Sequence, residues 1–237
     1  MSVTATFSPA LTKMSEPGRK PLGIYGGTFD PVHLAHLRLA EEAVDHLGLS
    51  GVRWIPAGQP ALRNAPRASA EERLAMVRLA IAGNPRFSLD TGEIDVAQPS
   101  YTVPTLERLR LPQHCGSEAS LVLLVGADTF LGMGGWHRRE RLFELAHVAV
   151  ACRPGFTLEA GNLPAELAEI FHQRHCADPA CLGASPAGCL VTFPMTPLDV
   201  SATRIRALLS RGESTRYLQP DAVIDYIHRH QLYPTEH

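Results

Sequence analysis

Short apolar runs alternate with stretches of helical period along most of this chain. Leu22-Gly23-Ile24-Tyr25 reads as a buried strand. The residues after it place Leu37, Ala40, Val44 and Leu47 close to a 3.6 period, which predicts a helix ending at Gly48. Val52-Arg53-Trp54-Ile55-Pro56 reads as a second strand, and the loop from Ala57 to Ala68 follows it. Ser69-Ala70-Glu71-Glu72 is a capping-box start. The helix it opens should bury Leu74, Val77, Ala80 and Ile81 and stop at Gly83. Phe87-Ser88-Leu89 is a short strand, and a helix is expected over about Val103 to Leu109. Leu121-Val122-Leu123-Leu124-Val125 is continuously apolar, as in a central parallel strand buried on both faces. A helical stretch from Arg139 to Leu145 leads to another apolar strand, His147 to Ala151. Glu159 to Cys176 reads as helical in part, and Ala177 to Gly188 as loop. Val191-Thr192-Phe193 is a last strand, Ser201 opens a helix over about Ala202 to Leu209, and Pro220 to Gln231 is a final amphipathic helix.

Strands alternating with helices predict an α/β domain: a Rossmann-like, doubly wound, mostly parallel sheet with helices on both faces. Ligands of such sheets sit at the C-terminal ends of the strands. Three strand ends carry polar or glycine motifs: Gly26, Gly126 and the segment before Ser201. One shared site is the economical reading. Residues 1–20, rich in Ser, Thr and Pro, are expected to be a disordered tail, with Met14 as an alternative start. Residues 21–237 form a single domain in this reading, with 156–190 as a variable insertion region.

Composition narrows the function classes. The chain has 237 residues, 45% of them hydrophobic, enough for a sizeable core. A formal net charge of −2 and only 6% aromatics give neither bulk attraction to nucleic acid nor a stacking platform. No apolar run approaches the roughly 20 residues that span a bilayer, and no secretory signal is visible. Five cysteines without a regular framework read as reduced thiols of a cytoplasmic protein. A homo-oligomer stays open.

The candidate chemistry begins at Gly26-Gly27-Thr28-Phe29-Asp30-Pro31-Val32-His33-Leu34-Ala35-His36. Strand, glycine turn and helix point free backbone N–H groups at an anion. Asp30 reads as the helix N-cap and Pro31 as its first residue. His33 and His36 lie three apart, so both rings face one side and can donate to phosphate oxygens. The second constellation is Asp199-Val200-Ser201-Ala202-Thr203-Arg204-Ile205-Arg206. Ser201 can cap, and Thr203 and Arg206 can surround a phosphate chain.

The first stretch closely resembles the GGTFDPxHxGH signature of the nucleotidylyltransferases, departing at Ala35, where that family usually has Gly. The second resembles the family's ISSTxIR motif at Ser201, Thr203 and Arg206. Ile55-Pro56-Ala57-Gly58-Gln59-Pro60, Pro99-Ser100-Tyr101-Thr102, Gly126-Ala127-Asp128, Trp136 and Arg153-Pro154-Gly155 follow the order found in bacterial nicotinate mononucleotide adenylyltransferases. The likeness runs from about Leu22 to Tyr233 and weakens between Phe156 and Cys189. Where that family often has a His-Lys pair after Pro60, this chain has Leu62-Arg63.

The resemblance implies adenylyl transfer from ATP to nicotinate mononucleotide, giving nicotinate adenine dinucleotide and pyrophosphate in NAD synthesis, with Mg²⁺ accompanying the ATP. It implies His36 on the α-phosphate and His33 on the triphosphate. Gly26, Gly27, Thr28 and Phe29 would line the phosphates. Ser201, Thr203 and Arg206 would hold the β- and γ-phosphates, and Gly126 and Asp128 the ribose or adenine. Trp136, expected as an exposed ring in a loop, would stack on the pyridine. Tyr101 and Thr102 would meet the nicotinate carboxylate, with Arg153 also on the substrate side. Alternatives are a transferase using nicotinamide mononucleotide, phosphopantetheine or another phosphate acceptor, a non-catalytic nucleotide sensor, and a nucleic-acid-binding protein. His172, His175, Cys176, Cys181 and Cys189 invite a structural zinc reading, although their spacing is not the paired C-x-x-C pattern.

Overall fold

The computed structural model describes residues 20–61, 65–96, 98–153, 155 and 158–234. Of the tail expected over residues 1–20, all but Lys20 lies outside the described residues, Met14 included, as does the Leu62-Arg63 pair. The strands are β1 (Leu22–Gly27), β2 (Gly51–Pro56), β3 (Phe87–Leu89), β4 (Leu121–Gly126), β5 (His147–Cys152) and β6 (Leu190–Pro194). They form one sheet in the order β3-β2-β1-β4-β5-β6, and every pair is parallel.

Strand residues alternate between two cores, one on each face. Val122 and Leu124 of β4 join Trp54, Ala149 and Phe193 on one side, while Leu121, Leu123 and Val125 join Ile24, Ile55 and Val150 on the other. The first core is covered by α1 (Leu34–Leu47), α2 (Ala70–Ile81), α7 (Ala202–Ser210) and α8 (Asp221–Arg229). The second is covered by α3 (Thr102–Leu109), α4 (Ala127–Leu131), α5 (Leu142–Leu145) and α6 (Ala165–Arg174). This is the doubly wound architecture the pattern predicts.

The chain reverses its winding between β1 and β4. β1 pairs with β2 along all six residues, from Leu22 opposite Gly51 to Gly27 opposite Pro56. Its pairing with β4 stops at Ile24 opposite Leu123. Past that point the two strands part, which opens the crevice where such sheets take ligands.

Several local expectations need correction. α2 buries Arg73, Met76, Val77 and Ile81, with Leu74 and Ala80 only half-buried, so its inward face is turned from the one the apolar residues predict. α4 has no counterpart in the pattern, and the loop expected beside Trp136 winds into a 3-10 turn over Gly132–Gly135. Arg139 to Leu145 splits into a 3-10 turn and α5. A further 3-10 turn, Pro179–Gly183, interrupts the loop after α6. These pieces are too short to carry a period that a sequence could display.

Candidate active site

The loop between β1 and α1 is held rigidly, and Asp30 is its anchor. Asp30 does not cap α1; the N-cap is His33, so Pro31 is not the first helical residue either. The Asp30 carboxylate, 7% exposed, instead accepts the Arg67 N–H at 2.9 Å, the Ala68 N–H at 3.2 Å and the Tyr233 O–H at 2.7 Å. Two stretches far apart in sequence, residues 67–68 and Tyr233, converge on one side chain. Burial, then the adjacent carboxylate, raises the Tyr233 phenol far above its ordinary range, so it stays a donor.

Arg73 performs a matching task from α2. It is 1% exposed and donates to the carbonyls of Thr28 (2.8 Å), Ala57 (2.6 Å), Gly58 (2.8 Å) and Ala68 (3.3 Å). The loops leaving β1 and β2 are thus pinned to the same guanidinium. Phe29 adopts φ 50°, and its buried ring lies over Gly27, where an added Cβ would come within 2.8 Å of it. The Phe29 side chain is therefore a core group, and only its backbone can face a ligand. The Asp30–Pro31 peptide is cis.

His33 and His36 do come together. Their rings stack with centroids 3.6 Å apart and 21° between planes. The His33 N–H donates to His36 Nδ1 at 3.2 Å, which puts the proton of a neutral His36 on Nε2. Phe29 meets the His36 ring edge-on at 5.1 Å. His33 is 5% exposed, and its Nδ1 is buried without a partner among the described residues. Burial pulls the His33 pKa down to about 4, so its ring is neutral near pH 7.

The second motif closes on the first. Ser201 caps α7, accepting the Arg204 N–H at 3.2 Å. Arg206 reaches across to donate to the Asp30 carbonyl at 2.6 Å, lies 3.8 Å from the Asp30 carboxylate, and donates to Thr203 Oγ1 at 3.4 Å. Arg204 instead pairs with Asp199 at the surface. Glu42 of α1 accepts the Thr196 N–H at 2.8 Å, which fixes the chain leaving β6 toward this motif. Leu218 and Gln219 pack over the β1–α1 loop: the Leu34 N–H donates to the Leu218 carbonyl, and Gln219 Nε2 donates to the Val32 carbonyl at 3.0 Å.

Gly26 is exposed at the end of β1, and Gly126 is the N-cap of α4 at the end of β4, on the two sides of the crevice. Asp128 lies exposed in the first turn of α4. Arg153 is exposed just past β5. Tyr101 is the N-cap of α3, so the N–H groups of Thr102 and Val103 lack intrahelical acceptors. Tyr101 also lines a cavity of about 390 Å³, with Glu93, Ser100, Thr105, Arg108 and His137. Its ring packs on His137 with centroids 4.7 Å apart. Gly58 passes so close to the Glu93 carbonyl that no Cβ would fit, and its N–H donates to Ser100 Oγ at 3.1 Å. Trp136 differs from expectation: it follows the 3-10 turn half-buried and packs on the second core, and neither it nor Thr102 nor Arg153 lines this cavity.

Sequence reading missed Arg73, Tyr233 and His137. Arg73 had a signal, a lone cation within the apolar stripe of α2. The other two act through contacts at long range, for which a single sequence offers none.

The cytidylyltransferase-like family model matches residues 24–208. A probable nicotinate-nucleotide adenylyltransferase of Dechloromonas aromatica is 60% identical over 214 residues, covering 90% of this chain and 98% of that protein. A Pseudomonas putida protein of the same description is 45% identical over 212 residues, covering 90% and 94%. The Plasmodium falciparum nicotinic acid mononucleotide adenylyltransferase complexed with NaAD shares the fold, with a TM-score of 0.65 at 16% identity over 92% of this chain and 99% of that one. With motifs, topology and relatives in agreement, the chain belongs to the cytidylyltransferase-like family and, within it, to the nicotinate-nucleotide adenylyltransferases.

Proposed function

We propose that the chain transfers AMP from ATP to nicotinate mononucleotide, releasing pyrophosphate. The observation that carries this reading is the Arg206–Asp30 contact, which joins two phosphate-type motifs 176 residues apart at the mouth of the β1/β4 crevice. The attacking 5′-phosphate is already an anion, so the reaction needs positioning and charge stabilisation rather than a strong base. The 5′-phosphate oxygen forms a bond to the α-phosphorus in line as the bond to pyrophosphate breaks. His36 Nε2–H donates to the α-phosphate as charge builds there. His33 faces the triphosphate, and Arg206, Thr203 and the capped start of α7 hold the leaving pyrophosphate. The backbone of Gly26, Gly27 and Thr28 lines the phosphates, and Gly126 and Asp128 border the nucleoside across the crevice.

Mg²⁺ fits this site as a companion of ATP. The buried Asp30 carboxylate is taken by three donors, so the cation would be held by phosphate oxygens and water. It supplies neutralisation of phosphate charge.

The acid of the mononucleotide meets the start of α3. The free N–H groups of Thr102 and Val103 and the helix dipole favour a carboxylate there. An amide would turn its NH₂ toward a donor and leave a desolvated group unpaired, at a cost of about 1–3 kcal/mol. Trp136 and Arg153 complete the pyridine side in this reading. Pyrophosphate release should favour nicotinate mononucleotide over nicotinamide mononucleotide by at least about tenfold in kcat/KM. Equal use of both would overturn the acid assignment, and release with neither would overturn the transferase reading.

A further inference from the structure

Three of the chain's five cysteines meet away from the nucleotide site. The Sγ atoms of Cys176, Cys181 and Cys189 all lie within 4.8 Å of one another. They come from separate pieces of chain. Cys176 follows the C-cap residue of α6, Cys181 sits in the 3-10 turn Pro179–Gly183, and Cys189 directly precedes β6. Each is fixed by its backbone: the Cys176 N–H donates to the Leu190 carbonyl at 2.9 Å, Cys181 to the Asp178 carbonyl at 3.2 Å, and Cys189 to His147 Nδ1 at 3.0 Å. His147 is fully buried, and its Nε2 meets the Ser185 carbonyl at 2.9 Å. Both its nitrogens are used, so His147 positions Cys189 and cannot itself ligate.

We propose that Cys176, Cys181 and Cys189 form a structural site for one thiophilic divalent ion of the Zn²⁺ class, with water as the fourth ligand. Zinc–thiolate bonds of about 2.3 Å in a tetrahedron put the sulfurs about 3.8 Å apart. From a triangle of side 4.8 Å or less, each sulfur moves by well under about 1 Å to reach it. Among the described residues no fourth side chain joins the group, and the histidines that the sequence places beside it stand apart; His175 stacks on Phe171 at 4.3 Å. The thiols are half-buried, so a water can reach the fourth position. Three thiolates and a dication carry one net negative charge. Arg174 donates to the carbonyl of Gly188, the residue before Cys189, at 3.3 Å.

Each thiol gives its proton to solvent as its sulfur–metal bond forms, so one dication displaces three protons and affinity falls as pH falls. The site lies at the N-terminal edge of β6, whereas the nucleotide motifs lie at the C-terminal ends of the strands. It would clip the end of α6 and the following loop to the sheet and leave substrate contacts alone.

The full-length chain, untagged and reduced, is titrated with Co²⁺ and then with Zn²⁺. We expect one equivalent of Co²⁺ to give a thiolate-to-cobalt charge-transfer band with intense tetrahedral d–d bands, bleached by Zn²⁺. Zn²⁺ should shield three of the five thiols from an aromatic disulfide reagent. It should raise Tm by several degrees, as binding to the native state alone requires, and leave the KM for ATP unchanged. Cys181→Ser should lose the band, and Cys115→Ser should keep it. Absence of the band in the wild type, with five reactive thiols, overturns the site in favour of plain packing against the core. A disulfide within the trio, found by mass in anaerobically prepared protein, overturns it in favour of a redox pair. A band that survives in folded Cys181→Ser overturns the ligand assignment; if that variant does not fold, the wild-type spectrum and thiol count decide.

Discussion

The two edges of the sheet are built alike, with one difference. At the C-terminal edge, Arg73 gathers the carbonyls of Thr28, Ala57, Gly58 and Ala68. At the N-terminal edge, Arg110 gathers those of Leu145, Ser117 and Pro186 at 2.8–2.9 Å, with Gly116 at 3.4 Å. Each arginine ties together loops that enter or leave neighbouring strands. Each edge also holds a buried histidine. His147, at the N-terminal edge, has partners at both ring nitrogens. Among the described residues His33, at the C-terminal edge, has none at Nδ1; Thr215 Oγ1, Gln219 Oε1, Trp54 Nε1 and Arg141 Nε are likewise buried without partners. Polar density therefore does not mark the working edge. What marks it is a rigid frame holding a buried histidine with an open ring nitrogen, which is how a site avoids reorganising when its ligand arrives.

The largest expected effects separate frame from site. Arg73→Met and Arg110→Met should each lower stability by about 2–4 kcal/mol, because several carbonyls lose a charged donor. Denaturant unfolding measures this. Below both transitions, the Arg110 variant should keep kcat within about twofold, while the Arg73 variant, whose phosphate loops have lost their common anchor, should fall by about a hundredfold. Equal loss of turnover in both would erase the distinction between the edges.

Next comes His36. His36→Ala should lower kcat by about a hundredfold or more, as when one donor to developing charge is removed, with little change in Tm. Near-normal turnover would remove His36 from the chemistry and leave the ring stack as mere packing. Arg206→Ala should act more weakly. Since Arg206 grips Asp30 through a backbone carbonyl, the loop survives its loss on the bonds from Arg67, Ala68 and Tyr233. The KM for ATP should rise about tenfold and that for the mononucleotide much less. Equal rises would make Arg206 part of the frame.

The same division explains what the sequence could show. The continuous apolar run of β4, the Ser69–Glu72 capping box and the Ser201 cap are local signals, and each appears where the pattern puts it. The stacked histidines follow from a spacing of three. Asp30 was legible only as a cap, because its partners lie at positions 67, 68, 206 and 233, which no local period connects. Arg73 broke the apolar stripe of its helix without saying which carbonyls it would serve. Only the exposure expected of Trp136 fails, for want of any sign that Gly132–Gly135 winds into a 3-10 turn that sets part of the ring against the core. The cysteines converge from irregular spacings that fit no pattern of paired ligands.

The smallest expected effect compares the two buried histidines directly. Burial holds the His33 pKa near 4, and it lowers that of His147 as well, against the opposing pull of the Ser185 carbonyl. In both cases the unfolded chain takes up the proton more readily than the folded one. The stability each contributes is full above the unfolded pKa of about 6.5 and is lost as pH falls toward the folded value. For His33 this means a loss of about 1 kcal/mol between pH 7 and pH 5.5. Glu93, whose carboxyl is held up by burial, works in the opposite direction as pH falls, so the informative quantity is a difference. Nucleotide phosphates beside His33 would favour its charged form and raise its pKa. Saturating ATP should therefore flatten the His33 part of the slope and leave the His147 part intact, because His147 lies at the other edge. Unfolding of wild type and His33→Gln, each with and without ATP at pH 7 and pH 5.5, measures this. A slope that ATP changes equally in both proteins would show that His33 does not face the phosphates, and that its open nitrogen is a defect of packing rather than part of the site.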